Sequence, residues 1–164
     1  MRKFVPTSLP VVSKSALCSR LALAVAAALL IASPAAAEEK VPSPITQEVL
    51  IKASLMTLND ANVTGNYSVL HAKLAKSLRE EVTPDKLKQV FKSFTDQKID
   101  FDIVAAKAPV ATKDAVVDAR GALVLRGYFE VAASRVTYEL DFVPSEGEWK
   151  PIKLNVDVKP VAKN

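Results

Sequence analysis

The spacing of apolar residues changes once along this chain, from a helical period to the two-residue period of strands. Up to Gln97 the apolar positions recur every three or four residues, which is typical of amphipathic helices. After Gln97 they alternate with polar positions, which is typical of strands with one buried face. The pattern therefore predicts an α+β fold in which helices precede an antiparallel sheet.

Three helices are predicted in the first part. The first begins at Ser43-Pro44, a helix cap followed by a first-turn proline, and runs to about Asn62, with Gly65 as the left-handed residue that ends it. Asn66 is predicted to cap the second helix, and Thr83-Pro84 begins the third. The apolar faces of the second and third helices are Tyr67, Leu70, His71, Leu74 and Leu78, and then Leu87, Val90, Phe91 and Phe94.

The chain after Gln97 is predicted to form a sheet of about four strands. Alternation is clearest in residues 122–131, 135–143 and 149–158. Residues 99–103 are predicted as a short strand, and residues 108–117 as a weaker one. A single domain is predicted over residues 44–158, with a polar lead-in at 38–43 and a polar tail at 159–164.

The turns set the expected strand registers. A three-residue loop between Pro144 and Glu148 would pair Leu140 with Ile152, so that the apolar faces coincide. The same register places Glu139 opposite Lys153 and Arg135 opposite Asp157.

The preceding hairpin is predicted to turn at Ala132-Ala133. This turn pairs Arg126 with Glu139, pairs Glu130 with Arg135, and sets Gly127 opposite Tyr138, whose ring covers the gap that a glycine leaves. A four-residue loop, which would shift the register by one pair, stays open. The opposed charges indicate a solvated outer face, since exposed ion pairs are common and weak.

Residues 1–37 have the pattern of a cleaved secretion signal. Four basic residues and no acidic ones precede or flank an apolar run from Leu21 to Ala32, which closes on Ala35-Ala36-Ala37. The run has about a dozen residues, whereas a membrane-spanning helix needs roughly 20. We therefore predict cleavage after Ala37, a mature chain in the periplasm or outside the cell, and no membrane span after cleavage.

Cleavage changes the electrostatic interpretation of the chain. The leader holds four of the 22 basic residues and none of the 18 acidic ones, so the mature chain has 18 of each. The basic character of the whole sequence therefore offers no argument for nucleic acid as a partner. The single cysteine, Cys18, also leaves with the leader, which removes thiol chemistry from the mature protein.

Few residues of the mature chain are suited to catalysis. His71 is the only histidine, and it could act as a general base or be a helix-flank residue with one hydrogen bond. Asp100 and Asp102 could hold a hard cation, but nothing nearby completes a calcium or zinc site. The sequence lacks a nucleophile elbow, a phosphate-binding loop and a dinucleotide fingerprint, so neither a catalytic residue nor a metal or other cofactor is predicted.

The order of elements resembles the nuclear transport factor 2-like superfamily, which includes ketosteroid isomerase and the SnoaL-type cyclases. The residues that carry the resemblance are Leu58-Asn59-Asp60-Ala61, Gly65-Asn66-Tyr67-Ser68-Val69-Leu70-His71 and the three-strand meander 122–158. It covers about residues 44–158 and implies three helices packed on the concave face of a curved sheet, with a conical pocket between them. The side chains expected to line this pocket are Tyr67, His71, Phe94, Phe129 and Tyr138.

These observations favour a secreted, non-enzymatic module that binds a small apolar ligand or an envelope protein. Two alternatives stay open. One is an isomerase- or cyclase-like enzyme that uses His71 in the pocket. The other is a dimeric structural envelope protein whose outer face, with Val124, Tyr128 and Val143, forms a homodimer interface.

Overall fold

The computed structural model of the chain describes residues 40–132 and 134–161. The predicted signal at 1–37, the start of the lead-in and the last three residues lie outside the described residues. The α+β class is confirmed: the described residues form five α-helices, one 3₁₀-helix and an open antiparallel sheet of five strands. The helices are α1 (Pro44–Thr64), α2 (Ser68–Lys73), α3 (Lys76–Glu81), α4 (Pro84–Val90), α5 (Lys92–Asp96) and the 3₁₀-helix Asp102–Ala106. The strands are β1 (Val110–Ala111), β2 (Val116–Val117), β3 (Leu123–Val131), β4 (Ser134–Ser145) and β5 (Glu148–Pro160).

The ends of α1 match the predicted capping residues. Ser43 Oγ accepts a hydrogen bond from the N–H of Thr46 at 3.2 Å, and Pro44 is the first helical residue. At the other end Gly65 has a φ of 68°, the left-handed conformation that glycine adopts without steric cost. These two signals were sufficient to place the longest helix from sequence.

The second and third predicted helices are each divided in two, which corrects the expectation of three helices. Leu74 adopts an extended conformation between α2 and α3, and there the N–H of Ala75 donates to the carbonyl of Pro151 in β5 at 2.9 Å. Phe91 separates α4 from α5. The predicted cap of the second helix was also wrong, since Tyr67 occupies that position and Asn66 Oδ1 instead accepts from the N–H of Ser68 at 3.0 Å.

The predicted strand at 99–103 is wrong, because this segment leads into the 3₁₀-helix. Asn59 of α1 holds it there: its Oδ1 accepts from the N–H of Phe101 at 3.0 Å, and its Nδ2 donates to Asp100 Oδ1 at 2.8 Å. Asp100 Oδ1 also accepts from the N–H of Asp102 at 3.1 Å, so the backbone groups are satisfied by a turn instead of a ladder. The weak strand at 108–117 is reduced to the two-residue strands β1 and β2, which both pair with β3.

The β3–β4 register is the predicted one. Arg126 lies opposite Glu139, Glu130 opposite Arg135, and Gly127 opposite Tyr138. The β4–β5 register differs from the predicted one, because the hairpin turns over two residues instead of three. These are Glu146 and Gly147, at φ values of 56° and 83°.

A bulge follows in β5, where the register shifts between Asp141 and Phe142 of β4. Beyond it Leu140 faces Leu154 instead of Ile152, a displacement of two residues that keeps both apolar faces on the same side. Glu139 faces Asn155, although Lys153 Nζ still lies 2.8 Å from its carboxylate.

Arg135 faces Lys159 instead of Asp157, and Asp157 pairs with Lys159 at 2.6 Å. Strand β5 ends at Pro160, so the predicted tail begins two residues too early.

Helices and sheet share one core. Leu55 and Leu58 of α1 are fully buried in the same cluster as Leu123 and Phe129 of β3 and Leu140 of β4. Burial of these side chains provides the main stabilisation of the arrangement, at roughly 1.5–3 kcal/mol for each large apolar side chain. The core fixes α1 against the sheet and so positions the surfaces described next.

Candidate functional site

The five side chains predicted to line a pocket lie in separate places. Phe129 and Tyr138 pack together in the core with ring centroids 5.7 Å apart. Tyr67 is buried and stacks on Phe91, which also contacts the half-buried ring of Phe94. These four aromatic side chains therefore belong to the packed interior.

The hydroxyl groups of the two tyrosines have different surroundings. Tyr67 donates to Asn62 Oδ1 at 2.6 Å, which gives a buried amide one of its partners. The ring of Tyr138 covers Gly127, and burial raises the pKa of Tyr138 to about 12. A neutral phenol of this kind does not act as a base near neutral pH.

His71 is hydrogen-bonded to the backbone at the end of α3. Its Nε2 lies 2.8 Å from the carbonyl oxygen of Val82 and 3.1 Å from that of Arg79. Since both carbonyls are acceptors, Nε2 carries the proton and donates it. This contact ties α2 to the end of α3 and is the arrangement of a structural histidine.

A groove of about 270 Å³ lies between α1, α2 and the β4–β5 hairpin. Leu50, Ala53, Ser54 and Thr57 form its α1 side, with the i, i+3, i+4, i+7 spacing of one helix face. Leu70, Ala72 and Lys73 of α2 continue the wall. The helical side is therefore mostly apolar, with small side chains that leave the space open.

The sheet side of the groove is formed by Phe142 of β4 and by residues 148–151 at the start of β5. Trp149, the single tryptophan of the chain, is half-buried there beside Pro151. A second hollow of about 170 Å³ shares Glu148 and Trp149 with the groove. None of the five predicted pocket residues lines either space.

Lys73 is the charged group held on the helical side of the groove. Its Nζ donates to Thr57 Oγ1 at 2.8 Å, and the hydroxyl of Thr57 in turn donates to the carbonyl of Ala53 at 2.7 Å. Among residues 40–132 and 134–161, Lys73 forms no ion pair. Its ammonium is therefore fixed beside a buried threonine and keeps donors free for another acceptor.

The hairpin wall is attached to the helices at its tip. Arg79 donates to both carboxylate oxygens of Glu146, at 3.2 and 3.0 Å, and to the carbonyls of Ala72 and Leu74. Lys150 Nζ donates to the same carboxylate at 2.6 Å. Lys150, which also lines the groove, therefore shares this one carboxylate with Arg79.

This attachment predicts an acid-dependent loss of stability. The hydrogen bonds from Arg79, and then those from Lys150, lower the pKa of Glu146 to about 2. A carboxyl group with a depressed folded-state pKa stabilises the fold above its ordinary value of 4.5, and this stabilisation is lost as the pH falls towards 2. We expect Glu146→Gln to lower the Tm at pH 7, and we expect that difference from wild type to vanish near pH 2.

Thermal melts of both proteins at pH 7, 4.5 and 2 measure this effect. Glutamine keeps the size and the left-handed strain of residue 146, so only the charge is changed. An equal Tm difference at all three pH values would show that the ion pairs of Glu146 do not stabilise the hairpin.

Comparisons of the chain with protein-family models, with curated proteins and with solved structures found no match. No helix in the described part of the chain is long and apolar enough to cross a bilayer. The described residues also contain no group of three histidine, cysteine, aspartate or glutamate side chains placed to hold a metal ion.

Proposed function

We propose that the mature chain is a secreted, non-catalytic binding module that takes a small ligand with an apolar body into the groove between helices and sheet. The observation that carries this proposal is the concave, mostly apolar space of about 270 Å³ with a fixed ammonium at its helical side. Ligand sites in proteins are typically such clefts, lined by apolar groups with a few placed polar ones. Secretion is part of the proposal because of the leader pattern in residues 1–37.

The resemblance to the nuclear transport factor 2-like superfamily is part of the same proposal. Five helices precede the antiparallel sheet among the described residues, and α1 shares its core with β3 and β4. A curved sheet with its helices on the concave side would place the groove at one margin of the helix–sheet interface. This placement differs from a pocket at the centre, which Phe129 and Tyr138 fill with their own side chains.

The size of the groove limits the ligand. At about 270 Å³ the groove lies at the small end of the range found for ligand pockets in proteins. A short alkyl chain or a single ring is a suitable apolar body for a groove of this size. Small ligands of this kind bind with micromolar to millimolar affinity.

Trp149 provides a direct test, because the only tryptophan of the chain lines the groove. We expect 1-octanol, which is about the right size, to cause a saturable blue shift in the fluorescence of the mature protein as it displaces water from the indole. Native mass spectrometry of the same mixture should show one bound molecule.

A matched pair of variants locates the binding. Ala53→Leu places a larger side chain in the groove and should weaken octanol binding at least tenfold, because it fills space that the ligand needs. Ala119→Leu adds the same side chain at an exposed turn outside the groove and should leave the binding unchanged. A fluorescence signal without saturation in the wild-type protein would contradict the proposed function.

A further inference from the structure

The charges around the groove are not balanced on its helical side. Three charged side chains line the groove: Lys73, Lys150 and Glu148. Lys150 is paired with Glu146, whose carboxylate also accepts two hydrogen bonds from Arg79. Glu148 is exposed and also lines the second hollow, so it is not confined to the groove.

Lys73 differs from Lys150 because its ammonium is hydrogen-bonded to a hydroxyl instead of a carboxylate. It lies in the last turn of α2, where a cation is favoured by the helix dipole. Its Nζ nevertheless reaches across the groove wall to Thr57 of α1, a residue that is 6% exposed. The lysine side chain itself is exposed, and its ammonium is held at the edge of the groove beside a buried hydroxyl.

We infer that the groove selects small amphiphilic monocarboxylates, with the apolar body between Leu50 and Trp149 and the carboxylate paired with the ammonium of Lys73. This inference rests on the proposed function and names the ligand class for the same groove. A single lysine, with no second cation free beside it among the described residues, fits a monovalent head group better than a phosphate. An octanoyl chain provides a short apolar body suited to a groove of about 270 Å³.

Sodium octanoate, 1-octanol and octylammonium chloride are the probes, each titrated below its micelle-forming concentration and followed by Trp149 fluorescence. Lys73→Met removes the charge and keeps the length of the side chain. We expect this variant to raise the Kd for octanoate about tenfold, as loss of a charge-assisted hydrogen bond does, and to change the Kd for octanol less than about twofold.

Two further variants separate the head-group contact from general charge effects. Lys113→Met removes an equal charge from the exposed loop between β1 and β2 and should leave octanoate binding unchanged. Glu148→Gln removes the negative charge at the groove and should strengthen octanoate binding, the opposite of the Lys73 effect.

The outcomes distinguish this inference from the proposed function. The inference is overturned, and the binding module stands, if octanol binds but the Kd for octanoate is unchanged by Lys73→Met. The same holds if octylammonium binds more tightly than octanoate. If none of the three probes produces a saturable signal, both are overturned. Unchanged octanol binding in the Lys73 variant shows that the groove is still folded.

Discussion

Gly127→Ala is expected to lower the free energy of unfolding by about 3 kcal/mol, a larger effect than most single substitutions have. A Cβ atom at residue 127 would lie closer than 3.0 Å to the carbonyl oxygen of Val110 and to the hydroxyl oxygen of Tyr138, which real Cβ atoms essentially never do. Neither neighbour can move freely: the carbonyl belongs to β1, which is paired with β3, and Tyr138 is 2% exposed. Overpacking of this kind forces backbone shifts, since interiors are close-packed.

Thermal or urea denaturation of the variant measures this loss, which corresponds to a decrease in Tm of roughly 10 °C for a domain of this size. Gly121→Ala is the matched control. Nothing lies within 4 Å of a Cβ at residue 121, so that substitution costs only the left-handed backbone strain at a φ of 78°, about 1 kcal/mol. If Gly127→Ala costs no more than Gly121→Ala, the close approach between β1, β3 and the Tyr138 ring is refuted.

The contact between Gly127 and Tyr138 could be predicted from sequence because it depends on two local signals. Strand alternation assigned the faces of residues 122–131 and 135–143, and a tight turn at Ala132-Ala133 gave one of two possible registers, which is the one observed. The same logic failed for the next hairpin. Its two-residue turn and the bulge in β5 shift the register by two, and such a shift leaves the hydrophobic pattern unchanged.

The divided helices show where long-range contacts override periodicity. The apolar spacing through Leu74 continues smoothly, yet the chain becomes extended there so that Ala75 can bond to Pro151. Likewise, the alternation at 99–103 is typical of a strand, but hydrogen bonds from Asn59 of α1 hold this segment in a turn. The partners lie about 40 to 75 residues away, so a local pattern cannot reveal them.

The groove was missed for a related reason. Its walls bring together Leu50, Leu70 and Trp149, which are distant in sequence, and apolar residues that line a groove have the same spacing as those that fill a core. The aromatic side chains that sequence reasoning chose are the largest ones, and large aromatic side chains are the ones that close a core. The one usable signal was the single tryptophan beside the hairpin turn.

The ion pair between Arg126 and Asp141 on the outer face of the sheet leads to the second large effect. Sequence reasoning paired Arg126 with Glu139, but that carboxylate is 3.9 Å away, and the shorter contact is from Nη2 to Asp141 Oδ1 at 2.6 Å. Nη1 also donates to the carbonyls of Leu140 and Leu125, at 2.8 and 2.9 Å. The side chains of Arg126 and Asp141 are 18% and 12% exposed, so water screens this pair only partly.

Arg126→Met should therefore lower the free energy of unfolding by about 2 kcal/mol at pH 7, because it leaves the carboxylate of Asp141 mostly buried without its partner. The exposed ion pair of Lys159 with Asp157 provides the control, and Lys159→Met should cost less than about 0.5 kcal/mol. Urea denaturation at fixed pH measures both variants.

A double variant identifies the physical cause. If the cost of Arg126→Met is the penalty of an unpaired buried charge, then adding Asp141→Leu should recover more than half of it, since replacing both partners with apolar groups can be nearly neutral. Additive losses in the double variant would instead mean that each side chain contributes through packing alone. Recovery would also account for the two charges by their pairing: Arg126 donates to Asp141 and to the carbonyls of Leu125 and Leu140.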